Sequence, residues 1–402
     1  MVTLDDMIEA YLDCRRRKRG TTNAIRFELD LENELVRLVD EVNNRSYAPS
    51  RSIAFIVSHP RYREVFAADF RDRVIHHYLI LRLNPFFESV FSPNAFNCRA
   101  GKGTLYGVNR LRQDVDDCSR NGTVSCYGMK LDLSGFFMSI DKYHLYSLLA
   151  EFVIDRYDRP GRDDILYLIE VILMHEPEKD CIIRCSPSLW NHLSANKSLF
   201  TNEDGCGLPI GNLPSQIFAN FLLTSLDWYV SSLGLRYYGR YVDDFYILHN
   251  DKSVLLSSVG KIRDFLSGQL HLRLHPRKFS LQYIGKGIEF TGVIIRPWSA
   301  YVHNRVVCAF VQSVMRLNCA TDLTAIRQCI ESVNSYLGTL NHYDTYAIRR
   351  RYLSTIEPRL FEYLDIVGHF NLVRLKKRYS ERECCKRMLR ERRFYRFVFY
   401  QV

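Results

Sequence analysis

The sequence contains no run of 18 apolar residues, which excludes an ordinary membrane-spanning helix. Its 12 cysteines form no CxxC pair, and its first residues do not resemble a signal peptide. Disulfides persist mainly in oxidising compartments, where small domains carry closely spaced cysteines. We therefore expect a reduced, cytoplasmic protein that makes no membrane contact.

Cysteine spacing also bears on metal binding. The set that comes nearest to a zinc site consists of Cys181, Cys185, His192 and Cys206. Structural zinc sites usually combine two closely spaced pairs of ligands, and the second half of this set lacks such a pair. The sequence therefore does not favour a structural zinc ion.

The charge balance is basic. Lysine and arginine number 55 against 45 acidic residues, which gives a formal net charge of +10 and a pI near 9.0. Lysine and arginine release counterions when they neutralise phosphates, so this balance favours a polyanionic partner. With 402 residues, the chain is long enough for two or three subdomains.

Two adjacent acids, Asp243 and Asp244, lie between the aromatic and β-branched segments 235–241 and 245–248. This pattern predicts a β-hairpin with the acids near its turn. Carboxylates about 4 Å apart repel by roughly 4 kcal/mol at an effective dielectric constant of 20, so a cation or full hydration must compensate. Aspartate is also common in ordinary solvated turns, and the pair alone leaves both interpretations open.

A third acid, Asp132, follows the mostly apolar segment 124–131, which reads as a β-strand. An acid at the end of this strand, next to two acids on a neighbouring hairpin, would form a metal cradle on one face of a sheet. The alternative is that Asp132 caps the helix that follows it.

Six segments occur in the order expected of a known family. Asp132 has an aromatic residue five positions later at Phe137, as in motif A of reverse transcriptases, and Tyr-Val-Asp-Asp resembles motif C. The segments that resemble the fingers segment and motifs A to E are 94–104, 132–137, 207–216, 241–244, 274–278 and 290–294. Together the resemblance spans roughly residues 54–297.

The resemblance implies an α+β protein with the right-hand polymerase fold, built from fingers, a palm whose antiparallel sheet carries the acids, and a helical thumb. We expect N-terminal helices and fingers over residues 1–123. The palm is expected over 124–302, with a finger insertion around 150–206. A helical, basic thumb and C-terminal tail are expected over 303–402.

The resemblance also implies the catalytic residues. Asp132, Asp243 and the backbone carbonyl of Leu133 are expected to hold two Mg²⁺ ions, with Asp244 supporting the site and Mn²⁺ as a substitute. In this chemistry one ion lowers the pKa of the primer 3′-hydroxyl and the other binds the triphosphate.

For the incoming nucleotide, the resemblance implies that Arg99 binds the β- and γ-phosphates, with Lys102 and Arg73 as helpers. Phe137 is expected to lie beneath the sugar and exclude a 2′-hydroxyl. Lys278 is expected to protonate the leaving pyrophosphate or to bind its phosphate.

Motif B is expected to contact the nascent base pair through Ile210 and Gly211, because glycine permits close backbone approach. The residues expected to contact the primer or template are Ser215, Gln216, Tyr241 and Gly292.

Motif B also carries a subfamily signal. Most reverse transcriptases have Gln-Gly-x-x-x-Ser-Pro there, whereas this chain has Ile210 and, after Ser215, Gln216. These departures, together with segments 63–77 and 189–200, resemble the enzymes of diversity-generating retroelements. Such enzymes copy a template-repeat RNA with frequent errors at adenines, and the mutated cDNA replaces a variable repeat in a target gene.

The implied partners are template RNA, an RNA or DNA primer, deoxynucleoside triphosphates and a small helical accessory protein that forms an oligomer, in a bacterial or phage-infected cell. One alternative is another bacterial reverse transcriptase, of the retron, group II intron or abortive-infection type. A second is a non-catalytic RNA-binding scaffold, against which the three retained acids argue.

The C-terminal segment from Arg374 to Arg396 carries eleven basic residues against three glutamates. A solvated helix with aromatic residues facing the core is the simple interpretation. So lopsided a charge favours contact with phosphates or with an acidic protein.

Overall fold

The computed structural model describes residues 1–16, 21–58 and 61–379. Packing divides the chain into two compact units, one from Met1 to Lys286 and one that begins at Gly287. The basic C-terminal segment from residue 380 onward lies outside the described residues.

The first unit contains two sheets, which we call the fingers sheet and the palm sheet after the expected fold. Its helices are α1 (Leu4–Arg15), α2 (Thr22–Glu28), α3 (Leu31–Asn43), α4 (Phe70–Val90), α5 (Thr104–Ser119), α6 (Phe136–Ser139), α7 (Lys142–Arg156), α8 (Arg162–Met174), α9 (Leu213–Leu222), α10 (Thr224–Ser232) and α11 (Lys252–Gln269). Its strands are β1 (Ser52–Val57), β2 (Arg63–Ala67), β3 (Tyr127–Leu131), β4 (Cys181–Ile183), β5 (Tyr237–Tyr241), β6 (Asp244–His249) and β7 (Ser280–Tyr283).

The palm sheet has the strand order β5-β6-β3-β7, and all of its pairings are antiparallel. Leu131, the last residue of β3, pairs with Phe245 of β6, which brings the end of β3 next to the acidic hairpin. The inner strand β6 is almost wholly buried, because its residues Phe245 to Leu248 are apolar or aromatic on both faces. The sheet thus collects the three acids at one end.

The fingers sheet has the order β2-β1-β4, with β1 antiparallel to β2 and parallel to β4. Strand β4 belongs to the insertion that follows α8. The insertion therefore contributes one strand to the fingers sheet. Glu64 of β2 is 1% exposed and binds the part of the insertion that follows β4. Its carboxylate accepts hydrogen bonds from Trp190 Nε1 (2.6 Å), Ser198 Oγ (2.6 Å) and the Leu199 amide (2.7 Å).

Helix α9 begins within motif B, at Leu213, with Pro214 in its first turn, where a missing amide costs nothing. The apolar residues from Ile217 to Leu226 are divided between α9 and α10, which are separated at Leu223. Ile217, Phe218 and Leu226 are buried in the main core of the first unit. This packing fixes the start of α9 beside the palm.

The second unit has its own core and sheet. Its elements are β8 (Ile288–Phe290), β9 (Val293–Arg296), β10 (Ser299–Val302), α12 (Asn304–Cys319), α13 (Leu323–Leu340), α14 (Tyr346–Leu353), β11 (Leu364–Val367) and β12 (Leu372–Leu375). Strands β8, β9 and β10 pair with one another and belong to this unit. Strands β11 and β12 form a hairpin beside its helices.

The expected α+β class is confirmed, with an antiparallel palm sheet that carries the acids. Among the helices of residues 1–16, 21–58 and 61–379, none is both long and apolar enough to cross a membrane.

Candidate active site

The acidic hairpin turns through two residues, Val242 and Asp243, because Tyr241 pairs with Asp244. Val242 has φ of 61°, in the left-handed region that a β-branched residue rarely adopts. A conformation of this kind costs about 1–3 kcal/mol and persists only where its surroundings hold it. The predicted hairpin is therefore present, with an unfavourable backbone conformation immediately before Asp243.

The amide and the carbonyl of Val242 are both held by hydrogen bonds. Its amide donates to Asn97 Oδ1 (3.0 Å), and its carbonyl accepts from Arg240 Nη1 (3.0 Å). Asn97 is 3% exposed, and its own carbonyl accepts a hydrogen bond from Asn220 Nδ2 of α9 (3.4 Å). The turn is thus connected to the fingers segment and, through it, to the motif B helix.

Arg240 itself is fixed by a completely buried ion pair. Its Nε and Nη2 donate to the two carboxylate oxygens of Asp227 on α10, at 2.7 and 2.6 Å, and both side chains are 0% exposed. Tyr238 Oη donates to the same carboxylate (2.6 Å). Two-pronged pairing of this kind leaves a guanidinium little freedom, so Nη1 has a fixed direction toward Val242.

Lysines contact two of the three acids. Lys130 Nζ of β3 donates to Asp244 Oδ2 (3.0 Å), and Lys278 Nζ donates to Asp132 Oδ2. Lys278 is half exposed, whereas the Lys130 side chain is mostly covered. The structure therefore brings the predicted Lys278 to the predicted Asp132, and it reveals Lys130 as a neighbour of the site.

Asp243 is flanked by the other two acids. Its burial, followed by the negative charges of Asp132 and Asp244, raises the pKa of Asp243 to about 6. A neighbouring positive charge on Lys278 offsets part of this effect. Asp132 and Asp243 therefore lie close enough for their charges to oppose one another, and a cation between them would relieve that opposition.

Asp132 follows β3 directly, as predicted, and the chain beyond it pairs with the segment that precedes β7. The His275 amide donates to the Asp132 carbonyl (2.8 Å), and the Ser134 amide donates to the Arg273 carbonyl (2.8 Å). This bridge, centred on Leu133 and Leu274, does not use the Leu133 carbonyl. The carbonyl predicted to bind metal is thus next to Asp132 and not engaged by the bridge.

Within the described residues, no three carboxylate, imidazole or thiol groups converge closely enough to enclose a metal ion. Magnesium is usually bound by one or two carboxylates together with waters and substrate phosphates, not by a complete protein cage. Asp132 and Asp243 would supply two such oxygen ligands, and each carries a charge that opposes the other. This arrangement fits Mg²⁺, with the remaining ligands coming from elsewhere.

Phe137 lies on the short helix α6, which follows Gly135 in a left-handed conformation (φ 57°). Its ring is half-buried and meets Phe136 edge to face, with centroids 5.3 Å apart. The Phe137 carbonyl accepts a hydrogen bond from the Leu208 amide (2.8 Å), so motif A and motif B are joined at this residue. Its predicted role in sugar selection stays a prediction.

Motif B lies against strand β2. The Phe66 amide donates to the Ile210 carbonyl (2.9 Å), and the Ile210 side chain is half-buried in a small cluster with Phe66 and Leu199. A Cβ on Gly211, whose φ is 119°, would lie 2.8 Å from Val65 Cγ1 and 3.1 Å from the Phe66 carbonyl oxygen. In this structure glycine is thus required by the close approach of β2.

The start of α9 presents two predicted primer or template residues differently. Ser215 is buried, whereas Gln216 is exposed and its Oε1 accepts from Cys98 Sγ (3.2 Å). Tyr241 is half-buried at the end of β5. Gly292, in the second unit, has φ of 89° and its amide donates to Glu289 Oε1 (2.9 Å).

Arg99 is occupied inside the protein. Its Nε and Nη2 contact the Glu88 carboxylate at 2.9 and 2.7 Å, its Nη1 donates to the Ser92 carbonyl (2.5 Å), and its side chain is 8% exposed. A phosphate would have to displace Glu88. The expected helpers are also engaged, since Lys102 Nζ donates to the Pro93 carbonyl (2.7 Å) and Arg73 Nε to the Ala68 carbonyl (2.9 Å).

Four residues of the site were not predicted from the sequence. Asn97, Asp227 and Arg240 hold the turn through contacts between separate segments, and Lys130 is one residue before the end of β3. An arginine within an otherwise aromatic and apolar strand was the one available sign, because such a residue needs a buried partner.

Comparisons with known proteins identify the family of the chain. A family model described as reverse transcriptase (RNA-dependent DNA polymerase) matches residues 58–295. Protein YkfC of Escherichia coli (strain K12) is 22% identical over 343 residues, which cover 76% of this chain and 82% of that protein.

Solved structures similar to this chain include two yeast telomerases. Apo telomerase from Candida tropicalis has a TM-score of 0.47 and 12% identity over 77% of this chain and 58% of its own. Telomerase from Candida albicans, in complex with a TWJ fragment of telomeric RNA, has a TM-score of 0.43 and 10% identity over 82% and 60%. The chain thus spans less than two thirds of these proteins. Because the family model covers more than half of the chain, the chain belongs to the reverse transcriptase (RNA-dependent DNA polymerase) family.

Proposed function

We propose that this reverse transcriptase extends a primer along an RNA template at the site formed by Asp132, Asp243 and Asp244. The observation that carries the proposal is the pairing of Leu131 with Phe245, which brings Asp132 at the end of β3 next to the hairpin of Asp243 and Asp244. Burial, together with the charges of Asp132 and Asp244, raises the pKa of Asp243 there. Carboxylates that repel one another at the end of a sheet are expected where a cation binds.

The residues that would hold Mg²⁺ are Asp132, Asp243 and the carbonyl of Leu133, with Asp244 in support. Bound Mg²⁺ supplies a lowered pKa at the primer hydroxyl and charge neutralisation at the triphosphate. The protein's own part is to position the acids. Lys130 and Lys278 neutralise Asp244 and Asp132 while the primer and nucleotide are absent, and Lys278 is then available to the departing pyrophosphate.

Nucleotide selection is proposed for Phe137, Ile210 and Gly211, which meet at the junction of motifs A and B with strand β2. Ser215, Gln216, Tyr241 and Gly292 are proposed to contact primer or template. Arg99 is proposed to bind phosphate only after exchange of its Glu88 partner, because the guanidinium is otherwise fully used.

We further propose that the enzyme is the mutagenic polymerase of a diversity-generating retroelement. Support comes from Ile210 and Gln216 in motif B, and from the connection between the two other subfamily segments. Glu64 in the first of these segments binds Trp190, Ser198 and Leu199 in the second. The proposed partners are template-repeat RNA, a primer, deoxynucleoside triphosphates and a small helical accessory protein.

The test is primer extension on one RNA template with all four bases, followed by sequencing of the cDNA. Errors concentrated opposite template adenines are expected. Even, infrequent errors would favour the alternative of a retron, group II intron or abortive-infection enzyme. A complete lack of extension by folded protein that binds the RNA would favour the non-catalytic scaffold.

A further inference from the structure

Several buried polar groups hold one strained residue, Val242, in the turn of the acidic hairpin. Val242 adopts φ of 61° although its side chain is β-branched. Asn97 and Arg240 hold the amide and the carbonyl of this residue, and Asp227 holds Arg240 from a third element. None of these three residues belongs to the acids themselves or to the expected nucleotide contacts.

The two hydrogen bonds determine the direction of Asp243. The Val242 carbonyl is part of the peptide group that bears the Asp243 amide, so fixing that carbonyl also fixes where the Asp243 side chain begins. A valine released from the left-handed region would return to an extended conformation, because its Cβ opposes positive φ. The peptide group would then rotate, and Asp243 would move with it.

We infer that Asn97, Arg240 and Asp227 are positioning residues, which hold Val242 in its left-handed conformation and thereby aim the Asp243 carboxylate toward Asp132. This inference rests on the proposed function in one respect, namely that Asp243 is a ligand of the catalytic cation. Its structural half, the holding of the turn, is independent of that role.

Asn97→Ala is the primary test, because it removes a single acceptor and keeps the main-chain bonds of the fingers segment. Hydrogen exchange of a peptide covering β5 and β6 is expected to accelerate about tenfold, since the Val242 amide loses its partner. Mn²⁺ alone, titrated into the full chain and followed by the loss of its free electron-paramagnetic-resonance signal, is expected to bind about tenfold more weakly.

Asn94→Ala is the matched control. It removes the same kind of side chain from the same segment, while the Asn94 carbonyl continues to accept from the Arg240 amide (2.9 Å). Exchange of the turn and affinity for Mn²⁺ are expected to match the wild type. If Asn94→Ala produces the same losses as Asn97→Ala, general damage to the segment explains both and the inference fails.

Rescue by Val242→Gly separates positioning from a merely structural role. Glycine populates positive φ about as readily as negative φ, so the turn then depends less on Asn97. In the Val242→Gly background, Asn97→Ala is expected to weaken Mn²⁺ binding by less than about threefold. An equal loss in both backgrounds would overturn the inference.

Arg240→Lys provides a second approach, because it keeps a cation beside Asp227 and removes the donor to Val242. It is expected to accelerate exchange of the turn as Asn97→Ala does. Unchanged exchange in both variants overturns the inference and leaves the role of Asp243 untouched. Failure of the proposed function is recognised separately, as full primer extension by the Asp243→Asn enzyme.

Discussion

Two carboxylates of the first unit have opposite surroundings. Glu64 in the fingers receives three hydrogen bonds from Trp190, Ser198 and the Leu199 amide. Asp243 in the palm turn is crowded by burial and by other acids, which raises its pKa to about 6. The same functional group is thus supplied with donors where it holds the fold together and opposed by like charge where a cation would bind.

The comparison implies different consequences for the two regions when a carboxylate is neutralised. Loss of charge should cost stability in the fingers, because donors lose their acceptor. In the palm turn it should cost activity and spare stability, because a repulsion disappears. The following predictions address this contrast.

The largest effect is expected for Asp243→Asn. Primer extension in Mg²⁺ should fall by about 10³-fold or more, which corresponds to roughly 4 kcal/mol in the barrier, because one oxygen ligand loses its charge. The free energy of unfolding, measured in urea without metal, should not decrease. Asp155→Asn, an exposed change near the end of α7, serves as the control. Extension near the wild-type rate would remove Asp243 from the site.

Glu64→Gln should lower the free energy of unfolding by about 1–3 kcal/mol, because an amide cannot accept from all three donors and its own N–H₂ group faces one of them. Urea denaturation measures the change. Glu9→Gln makes the same chemical change at an exposed position of α1 and should have almost no effect. Equal stability of the two variants would contradict the structural role of Glu64.

A third buried acid, Asp72, is expected to make the stability of the protein depend on pH. Asp72 is 1% exposed, and burial raises its pKa to about 6 although Tyr47 Oη and the Ser50 amide donate to it. The pKa of Asp72 in the folded protein lies above the unfolded value of about 3.9. Protonation of Asp72 therefore adds to the free energy of unfolding below pH ~4, and this stabilisation is lost as the pH rises toward ~6. The expected loss is about 2 kcal/mol.

Asp72→Asn should remove this particular loss, so its stability should change less between pH 4 and pH 7 than that of the wild type. Urea denaturation at both pH values measures the difference. Parallel stability curves for the two proteins would show that Asp72 titrates normally and is paired as fully as Glu64.

The smallest effect is expected for Ile210→Gln, at the junction of the fingers with motif B. A glutamine can hydrogen-bond near the sugar and the nascent pair, whereas isoleucine offers no donor or acceptor. We expect errors opposite template adenine to fall about fivefold, which is roughly 1 kcal/mol of selectivity, and to fall less opposite the other bases. Sequencing of cDNA from both enzymes is the measurement, and an unchanged adenine error rate in an active variant would contradict the idea.

Short sequence patterns predicted the parts of the site that lie within one continuous segment of the chain. The aromatic and β-branched segments around Asp243 and Asp244 predict a hairpin with the acids near its turn, and the apolar segment before Asp132 predicts a strand. In both cases the composition of one short segment was sufficient.

The partners of buried polar groups could not be predicted in this way. Glu64 meets Leu199 across 135 positions, and Val242 meets Asn97 across 145. A spacing of that length carries no periodic signal, because the fold alone decides which segments meet. The engagement of Arg99 by Glu88 was missed for a different reason, since a basic residue in a loop looks the same whether it awaits a phosphate or already has a partner.

The position of β3 in the palm sheet has a consequence for how the protein is made. Its neighbours β6 and β7 both come from later in the chain, and the first of these begins at Asp244, long after β3 ends at Leu131. At about 5–20 residues per second, a ribosome needs roughly 6–23 s to synthesise the chain between them. During that interval Asp132 has been synthesised but Asp243 and Asp244 have not. The nascent segment of β3 then lacks both of the strands with which it pairs in the folded protein.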